Sequence, residues 1–365
     1  MASDVLLTFN PGSSSVKLGL FELRAGTPAA LARQTIDAEP GRHDDTVADA
    51  LRWCAEHAPG ARLAAAAHRV VHGGDRFAGA ARITDRTLAE IEALAPLAPL
   101  HQPQSLRLIH ALRAAEPALP QTASFDTAFH RSQSDAQRRY ALPRELFDEG
   151  IKHYGYHGLS YKFIASTLRR TRPTIARGRV VVAHLGSGAS LCGLFDGASR
   201  VTSMGFSTLD GVPMATRCGA LDPGVLLHLL RQPGRTVDSV EDMLYHRCGL
   251  LGLSGLSGDL RELIDSTEPA AREALDHFTL AVAREVASIA TVLGGLDALV
   301  FTAGIGENQP PVCEAVCRHL AWLGVASEAA GGTVPVLVLH TDEEQVIADE
   351  ARDILHSPSI PGSSP

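Results

Sequence analysis

Lysine is nearly missing from this chain: of its 33 basic residues only Lys17, Lys152 and Lys162 are not arginine. Long apolar runs are missing too. No stretch approaches 18 residues, so no membrane-spanning helix is expected. Met1-Ala2-Ser3-Asp4 leads straight into a strand, so the reading expects no signal peptide and a cytoplasmic protein. A surplus of positive charge is also lacking; the formal net charge of -8 argues against a nucleic-acid surface, and any anion site must be local. The six cysteines show no metal spacing. Cys313 and Cys317 stand four apart on an expected helix with no Cys/His pair nearby, which leaves free thiols as the better reading. No Gly-x4-Gly-Lys-Ser/Thr occurs anywhere, which excludes a Walker loop.

What is present is ordinary globular material, 45% hydrophobic and 20% charged, in a 365-residue chain long enough for two domains. Two stretches organise it. Val5 to Phe9 reads as a strand, Asn10-Pro11-Gly12-Ser13-Ser14-Ser15 as a small-residue turn, and Lys17 to Glu22 as a return strand. Roughly 175 residues later the pattern recurs. Val180 to Ala183 is a β-branched run, Gly186-Ser187-Gly188-Ala189-Ser190 a small-residue turn, and Leu191 to Phe195 the return, with Gly-Leu-Phe shared by both returns. Small residues let backbone amides approach an anion, so the two hairpins predict a duplicated fold with two phosphate grips facing each other. Lys17, in a chain that otherwise writes Arg, stands beside the first turn, where a compact ammonium suits a phosphate.

Between and beyond the hairpins the pattern is α/β. Residues 24 to 62 hold an expected helix at Thr46 to His57 and no visible chemistry. His68 and His72 could ligate a metal from a helix, but Val70-Val71 and Gly73-Gly74 favour a strand ending in a loop. That places Arg69 near the end of a sheet, where α/β proteins hold ligands; its bland alternative is a surface ion pair. Helices are expected at Thr84 to Leu94, Leu106 to Ala115, Gly224 to Leu230 and Gln345 to Leu355. A longer one runs from Pro269 to Gly294, on apolar steps of three and four. Asp126, between two aromatics, reads either as a capping residue or as a site residue. His157 lies in a glycine-punctuated loop, and Arg217 in a long irregular segment of the kind that carries function or disorder. Residues 249 to 261 read as a loop entering a helix. Ala298 to Thr302 reads as a buried strand, followed by a glycine loop at Gly304 to Asn308 and a helix from about Pro310 that can meet a nucleotide. A last strand is expected at Val334 to Leu339, and a disordered tail from His356.

Taken together, these motifs resemble the acetate kinase family of short-chain acyl kinases, within the superfamily of actin and the sugar kinases. The resemblance runs from Val5 to Leu355. It rests on Asn-x-Gly-Ser-Ser-Ser-x-Lys at 10–17, His-Arg-Val-Val-His-Gly-Gly at 68–74 and Leu-Ala-Pro-Leu-His at 97–101. Phe-Asp-Thr-Ala-Phe-His at 125–130 and Thr-Ala-Gly-Ile-Gly-Glu-Asn at 302–308 complete the set. It implies two ribonuclease-H-like domains facing a central cleft, residues 1–129 with 345–365 and residues 130–344. The implied reaction is reversible, Mg²⁺-assisted phosphorylation of acetate by ATP to acetyl phosphate and ADP, with Mn²⁺ able to substitute, in a cytoplasmic homodimer. Arg69 and Arg217 would hold the acyl carboxylate and the transferring phosphoryl group, His157 would stabilise its oxygens, and Asp126 would be catalytic, orienting Arg69 or a metal water. Asn10 and Glu343 would help hold Mg²⁺. Lys17, His184, Leu185, Gly186, Ser187 and Gly188 would serve the phosphates. Asp259, Leu260 and Arg261 with Gly304, Ile305, Gly306, Glu307 and Asn308 would cradle the adenosine. Val71, Leu100, Tyr156 and Thr208 would line the acyl pocket.

The chain departs from the family pattern at Ser187 (usually Asn), Tyr161 (usually His), Asp342 (usually Asn), and at Tyr156 and Thr208 in the acyl pocket, where Phe and Pro are usual. No charged catalytic group is lost. The alternatives are a propionate or butyrate kinase and, more remotely, a non-catalytic nucleotide-binding protein.

Overall fold

The apolar runs at Val5 to Phe9 and Val180 to Ala183 become the central strands of two separate sheets. The computed structural model describes residues 3–12, 15–24, 26–37, 43–326 and 331–356; Ser13 and Ser14 of the first turn and the tail from 357 lie outside them. Two units divide the chain. One comprises the residues up to Arg131 with 158–163 and those from Asp342, the other Ser132–His157 with Ile164–Thr341.

In the first unit the strands are β1 (Asp4–Pro11), β2 (Ser15–Glu22), β3 (Ala29–Asp37), β4 (Arg62–Val70), β5 (Ala81–Arg82) and β6 (Gln121–Phe125), in the order β3-β2-β1-β4-β6-β5. The second unit holds β7 (Arg179–Leu185), β8 (Ala189–Phe195), β9 (Ala198–Thr202), β10 (Ala298–Thr302) and β11 (Val336–Val338), in the order β9-β8-β7-β10-β11. In each, an antiparallel meander of three strands is extended by two strands parallel to its first, and the first sheet adds the short β5 antiparallel to β6 at its edge. The duplication implied by the hairpins is therefore a duplication of whole sheets. The shared Gly-Leu-Phe marks it: a Cβ on Gly19 would meet Thr8 Oγ1 and the Phe21 ring at 2.6 Å, and one on Gly193 would meet Ile289 Cγ2 at 2.6 Å. Both return strands need a bare backbone there, for different neighbours.

Strand alternation sorts the first unit into two layers. Val5, Leu7 and Phe9 point to the helices His43–His57 and Gln102–Ala115, closing a core with Trp53, Leu108 and Leu112. Leu6 on β1 and Ala65 and Ala67 on β4 point to the other face, under Val346, Ile347 and Ala351 of the helix Glu343–His356. Ala65 and Ala67 are small enough to let that helix lie close. By the same two-residue step, Asn10 and Arg69 lie on the helix side at the C-terminal ends of β1 and β4.

Some elements differ from the expectation. β3 was not foreseen, because residues 29–37 are an edge strand whose side chains are nearly all exposed or half-buried and carry little apolar alternation. The 249–261 loop is partly helical, Gly249–Ser254, and the expected glycine loop after β10 is already the helix Ala303–Asn308, with a second helix at Pro310–His319. The helix expected from Leu106 starts at Gln102, with Pro103 in its first turn.

His68 sits inside β4 and is no metal ligand; its Nε2 meets Gln121 Oε1 at 2.8 Å, and its ring stacks on Phe9. His72 Nδ1 accepts the Gly74 amide at 3.0 Å. Burial pushes both imidazoles down to about 4. Because the folded value lies below the unfolded one, each stabilises the neutral fold above about pH 6.5, and that contribution fades as pH falls toward 4. Between pH 7 and 5 the loss is about 2 kcal/mol per histidine. Thermal melts should show Tm falling over this interval, with a shallower fall in His68→Gln; equal slopes would mean that His68 takes up its proton as readily in the fold as in the unfolded chain.

Candidate active site

At the ends of β1, β4 and β6 the first unit gathers a buried polar cluster. Arg69 forks onto Asp126, with Nε at 3.0 and 3.1 Å from the two carboxylate oxygens and Nη2 at 2.6 Å. Its Nη1 donates to Pro11 O at 2.9 Å and to Asn10 Oδ1 at 3.3 Å. The Asn10 amide in turn donates to Glu343 Oε2 at 3.0 Å and Glu344 Oε1 at 2.6 Å, at the start of the helix Glu343–His356. Asp126 is positioned by its own backbone: its amide donates to Val70 O, and its carbonyl accepts from Gly158 N at 3.0 Å. A Cβ on Gly158 would lie 2.0 Å from that carbonyl, so only glycine fits.

The side chains of Arg69 and Asp126 are 15% and 1% exposed. Burial works against the Arg69 charge, but Asp126, Glu343 and Glu344 outweigh it and hold the guanidinium above its ordinary value. Burial raises the Asp126 carboxyl against the pull of Arg69, and Glu343 pushes the same way. The cluster has more carboxylates than cations, and its oxygens suit a hard cation. Of the other expected residues in this unit, Val71 is buried, Leu100 is exposed, and Lys17 is exposed on β2 opposite Asn10.

In the second unit one cross-strand pair seats an imidazole close to Arg217. His184 on β7 faces Ser190 on β8. The His157 ring stacks on His184 at 4.2 Å between centroids, and its Nδ1 meets Ser190 Oγ at 2.8 Å. His157 has φ 58°, a left-handed turn into the helix Gly158–Thr171. A Cβ on Gly188 would lie 3.3 Å from His157 Nε2 and 3.6 Å from Arg217 Nη2, so both side chains converge over the bare backbone of the second small-residue turn. Arg217 Nη1 donates to Thr208 O at 3.1 Å, and Tyr156 donates its hydroxyl to Phe206 O at 2.7 Å, so one acyl-pocket candidate of this unit lies on the Arg217 loop and the other is bonded to it.

A cavity of about 630 Å³ adjoins the same turn. Gly186 and Ser187 form one wall, Asp259, Leu260 and Arg261 a second, and Gly304, Ile305 and Asn308 a third. Asp259 caps the helix Leu260–Asp265 through the Arg261 amide at 2.9 Å and pairs with the Arg261 guanidinium at 2.5 Å. Sequence reading missed Thr216, Gly258 and Phe278, which also line the cavity; Gly258, just before Asp259, was the available signal. His184, Leu185, Gly188, Gly306 and Glu307 do not line it. Glu307 instead accepts the Ala303 amide at 2.8 Å and the Thr341 amide at 3.2 Å, and pairs with His340 at 2.7 Å. It anchors the strained start of the helix Ala303–Asn308, where Ala303 has φ 67°.

Gly304 and Gly258 separate space from necessity. A Cβ on Gly258 would strike Ala215 O at 2.9 Å, whereas one on Gly304 meets nothing within 4 Å. The resemblance assigns these walls to the nucleotide; on that expectation Gly304→Leu should raise the KM for ATP at least tenfold, leave the KM for the second substrate unchanged, and not lower Tm, because leucine favours the helix. Unchanged nucleotide affinity would remove this cavity from the nucleotide site.

Comparison with known proteins gives the family. The acetokinase family model matches residues 32–349. A curated acetate kinase of Rhodopseudomonas palustris is 42% identical, over 95% of this chain and 97% of its own length. The crystal structure of Porphyromonas gingivalis acetate kinase superposes with a TM-score of 0.86 at 30% identity, covering 97% of this chain and 100% of its own. That of a propionate kinase from Francisella tularensis superposes at 0.85 with 33% identity, covering 96% and 99%. By sequence and by fold, the chain belongs to the acetokinase family.

Proposed function

We propose that this chain is an acetate kinase, catalysing reversible transfer of the ATP γ-phosphoryl group to acetate. The observation that carries the reading is the convergence of His157 and Arg217 on Gly188, next to Gly186 and Ser187, which wall the cavity we assign to the nucleotide. One acetate oxygen forms the new P–O bond, the bond to the β-phosphate oxygen breaks, and ADP leaves with the electron pair. No proton has to be moved, because acetate is already ionised at neutral pH. Catalysis is then placement and charge neutralisation. Arg217 and the His157 Nε2 edge meet the equatorial oxygens of the transferring group, and Ser190 and His184 hold the imidazole in place. Arg69 takes the acyl carboxylate, with Asp126 fixing its fork. Asp126, already bonded to a cation, is an orienting group in this scheme and not a base.

The Glu343 carboxylate and the Asn10 Oδ1 are the oxygens that would help hold an Mg²⁺ or Mn²⁺ bound mainly by phosphates and water, the Asn10 amide fixing where Glu343 stands; among the described residues no three acidic, His or Cys side chains form a fuller cage. Such a cation neutralises phosphate charge when bound. Among the described residues no helix is long and apolar enough to cross a membrane, and we assign the enzyme to the cytoplasm. We also assign a homodimer, on the helix Pro223–Leu230: none of its residues is buried, and Val225 and Leu227 stand exposed beside Leu221. Leu227→Glu should shift the mass measured by light scattering from dimer to monomer; an unchanged mass would clear this face.

Arg217→Ala should lower kcat by two or more orders of magnitude, about 3–4 kcal/mol of transition-state charge stabilisation. Near-normal turnover would make Arg217 structural. A hydroxamate assay with acetate, propionate and butyrate tests the acyl assignment. The branched Cβ of Val71 limits room beyond a methyl, so acetate should lead, with propionate next and butyrate poor, at about 10- to 200-fold per methylene at most. Butyrate as the best substrate would replace the acetate reading.

A further inference from the structure

The edge strand β3 carries no chemistry of its own, yet it and the segment before it grip the helix that bears Glu343 and Glu344. Arg33 on β3 pairs with Asp342, whose other oxygen accepts the Gln345 amide at 2.9 Å and so caps the first turn of that helix. Gln345 Nε2 donates to Pro28 O at 3.1 Å, and Arg352 Nη1 donates to Gly26 O at 3.0 Å. Three consecutive carboxylates, Asp342, Glu343 and Glu344, repel one another, and Asn10 must hold two of them at once. Arg33 neutralises the first, and the cap fixes where the next two project. The Asp342 side chain is only 12% exposed, although Arg33 is 41% exposed, so the pair is better shielded than an ordinary surface ion pair.

We propose that Arg33 and Asp342 are positioning residues for the cation site, setting the first turn of the helix Glu343–His356 so that Glu343 meets Asn10. The proposal rests on the assignment of Glu343 to the metal, and two readouts separate the two ideas. The first is Mn²⁺ binding to the full-length enzyme with ADP, followed by electron paramagnetic resonance. The second is hydrogen exchange of residues 343–347 in enzyme without metal. Arg33→Gln and Asp342→Asn, the latter keeping a capping oxygen, should each weaken Mn²⁺ binding about five- to tenfold and speed exchange in the first turn. The double variant should be no worse than the weaker single one, because both changes remove the same pair. Asp342→Ala, which also loses the cap, should lose more than Asp342→Asn. Wild-type Mn²⁺ affinity and unchanged exchange in Arg33→Gln and Asp342→Asn would overturn the proposal, as would strictly additive losses. Glu343→Gln with undiminished Mn²⁺ binding would overturn the metal assignment instead, while faster exchange in Arg33→Gln would still support the clamp.

Discussion

The buried fork between Arg69 and Asp126 is the interaction on which the first unit's buried polar cluster depends. Removing either partner would leave an unpaired charge in a nearly dry site, a loss of about 3–5 kcal/mol in comparable pairs. Replacing both with apolar residues would be far cheaper for stability. The pair persists, then, for what it positions. Its guanidinium reaches Pro11 O and Asn10 and so joins the ends of β1, β4 and β6 at one point. Asn10 carries the connection on to the helix Glu343–His356. A single cation thus sets the geometry of three strand ends and one helix start.

Duplication explains why the two units place different chemistry at matching points. Gly12 and Gly186, and likewise Gly19 and Gly193, are 174 positions apart; at the same spacing Asn10 corresponds to His184. Both sit at the end of the first strand of a meander, where side chains leave the sheet beside a small-residue turn. One copy has filled that point with an amide held by carboxylates, the other with an imidazole stacked on a second imidazole. The shared scaffold fixes position, and the residue there fixes the sign of the charge collected around it.

Much of this was legible because it is local. A β-branched run, a glycine-serine turn and a returning strand declare a hairpin within twenty residues, and Arg69 is placed by the Val70-Val71 and Gly73-Gly74 that follow it. What stayed hidden is non-local. Nothing in Ala29–Asp37 signals that Arg33 meets Asp342, 309 positions away. Asp126 stayed open between cap and site because the partner that decides it comes from another strand. The resemblance groups Glu307 with the nucleotide, and Gly-Ile-Gly-Glu-Asn reads as a loop; in the structure that segment is helical and the glutamate accepts the amides of the strained Ala303 and of Thr341. Lys17 is the residue that composition singled out by its rarity, and the structure places it exposed on β2, opposite Asn10.

The long segment around Arg217 looks irregular but is not loose. Met214 N bonds to Arg217 O, while Cys248 N, Leu250 N and Leu251 N donate to Thr216, Met214 and Ala215 at 2.9–3.0 Å. Gly249 makes this possible: at φ 61° its Cβ position would lie 2.1 Å from Met214 O and 2.7 Å from Arg217 O. A helix start and a loop therefore share one hydrogen-bond ladder, closed at a position only glycine can occupy. Arg217 hangs from backbone that is already bonded before any substrate arrives. An electrostatic catalyst gains from such an arrangement because a cation already aimed at the developing charge need not be reorganised during the reaction. The irregularity is thus the means by which the chain departs from helix and strand to aim a guanidinium, and rigidity is recovered by bonding the departure to its neighbour.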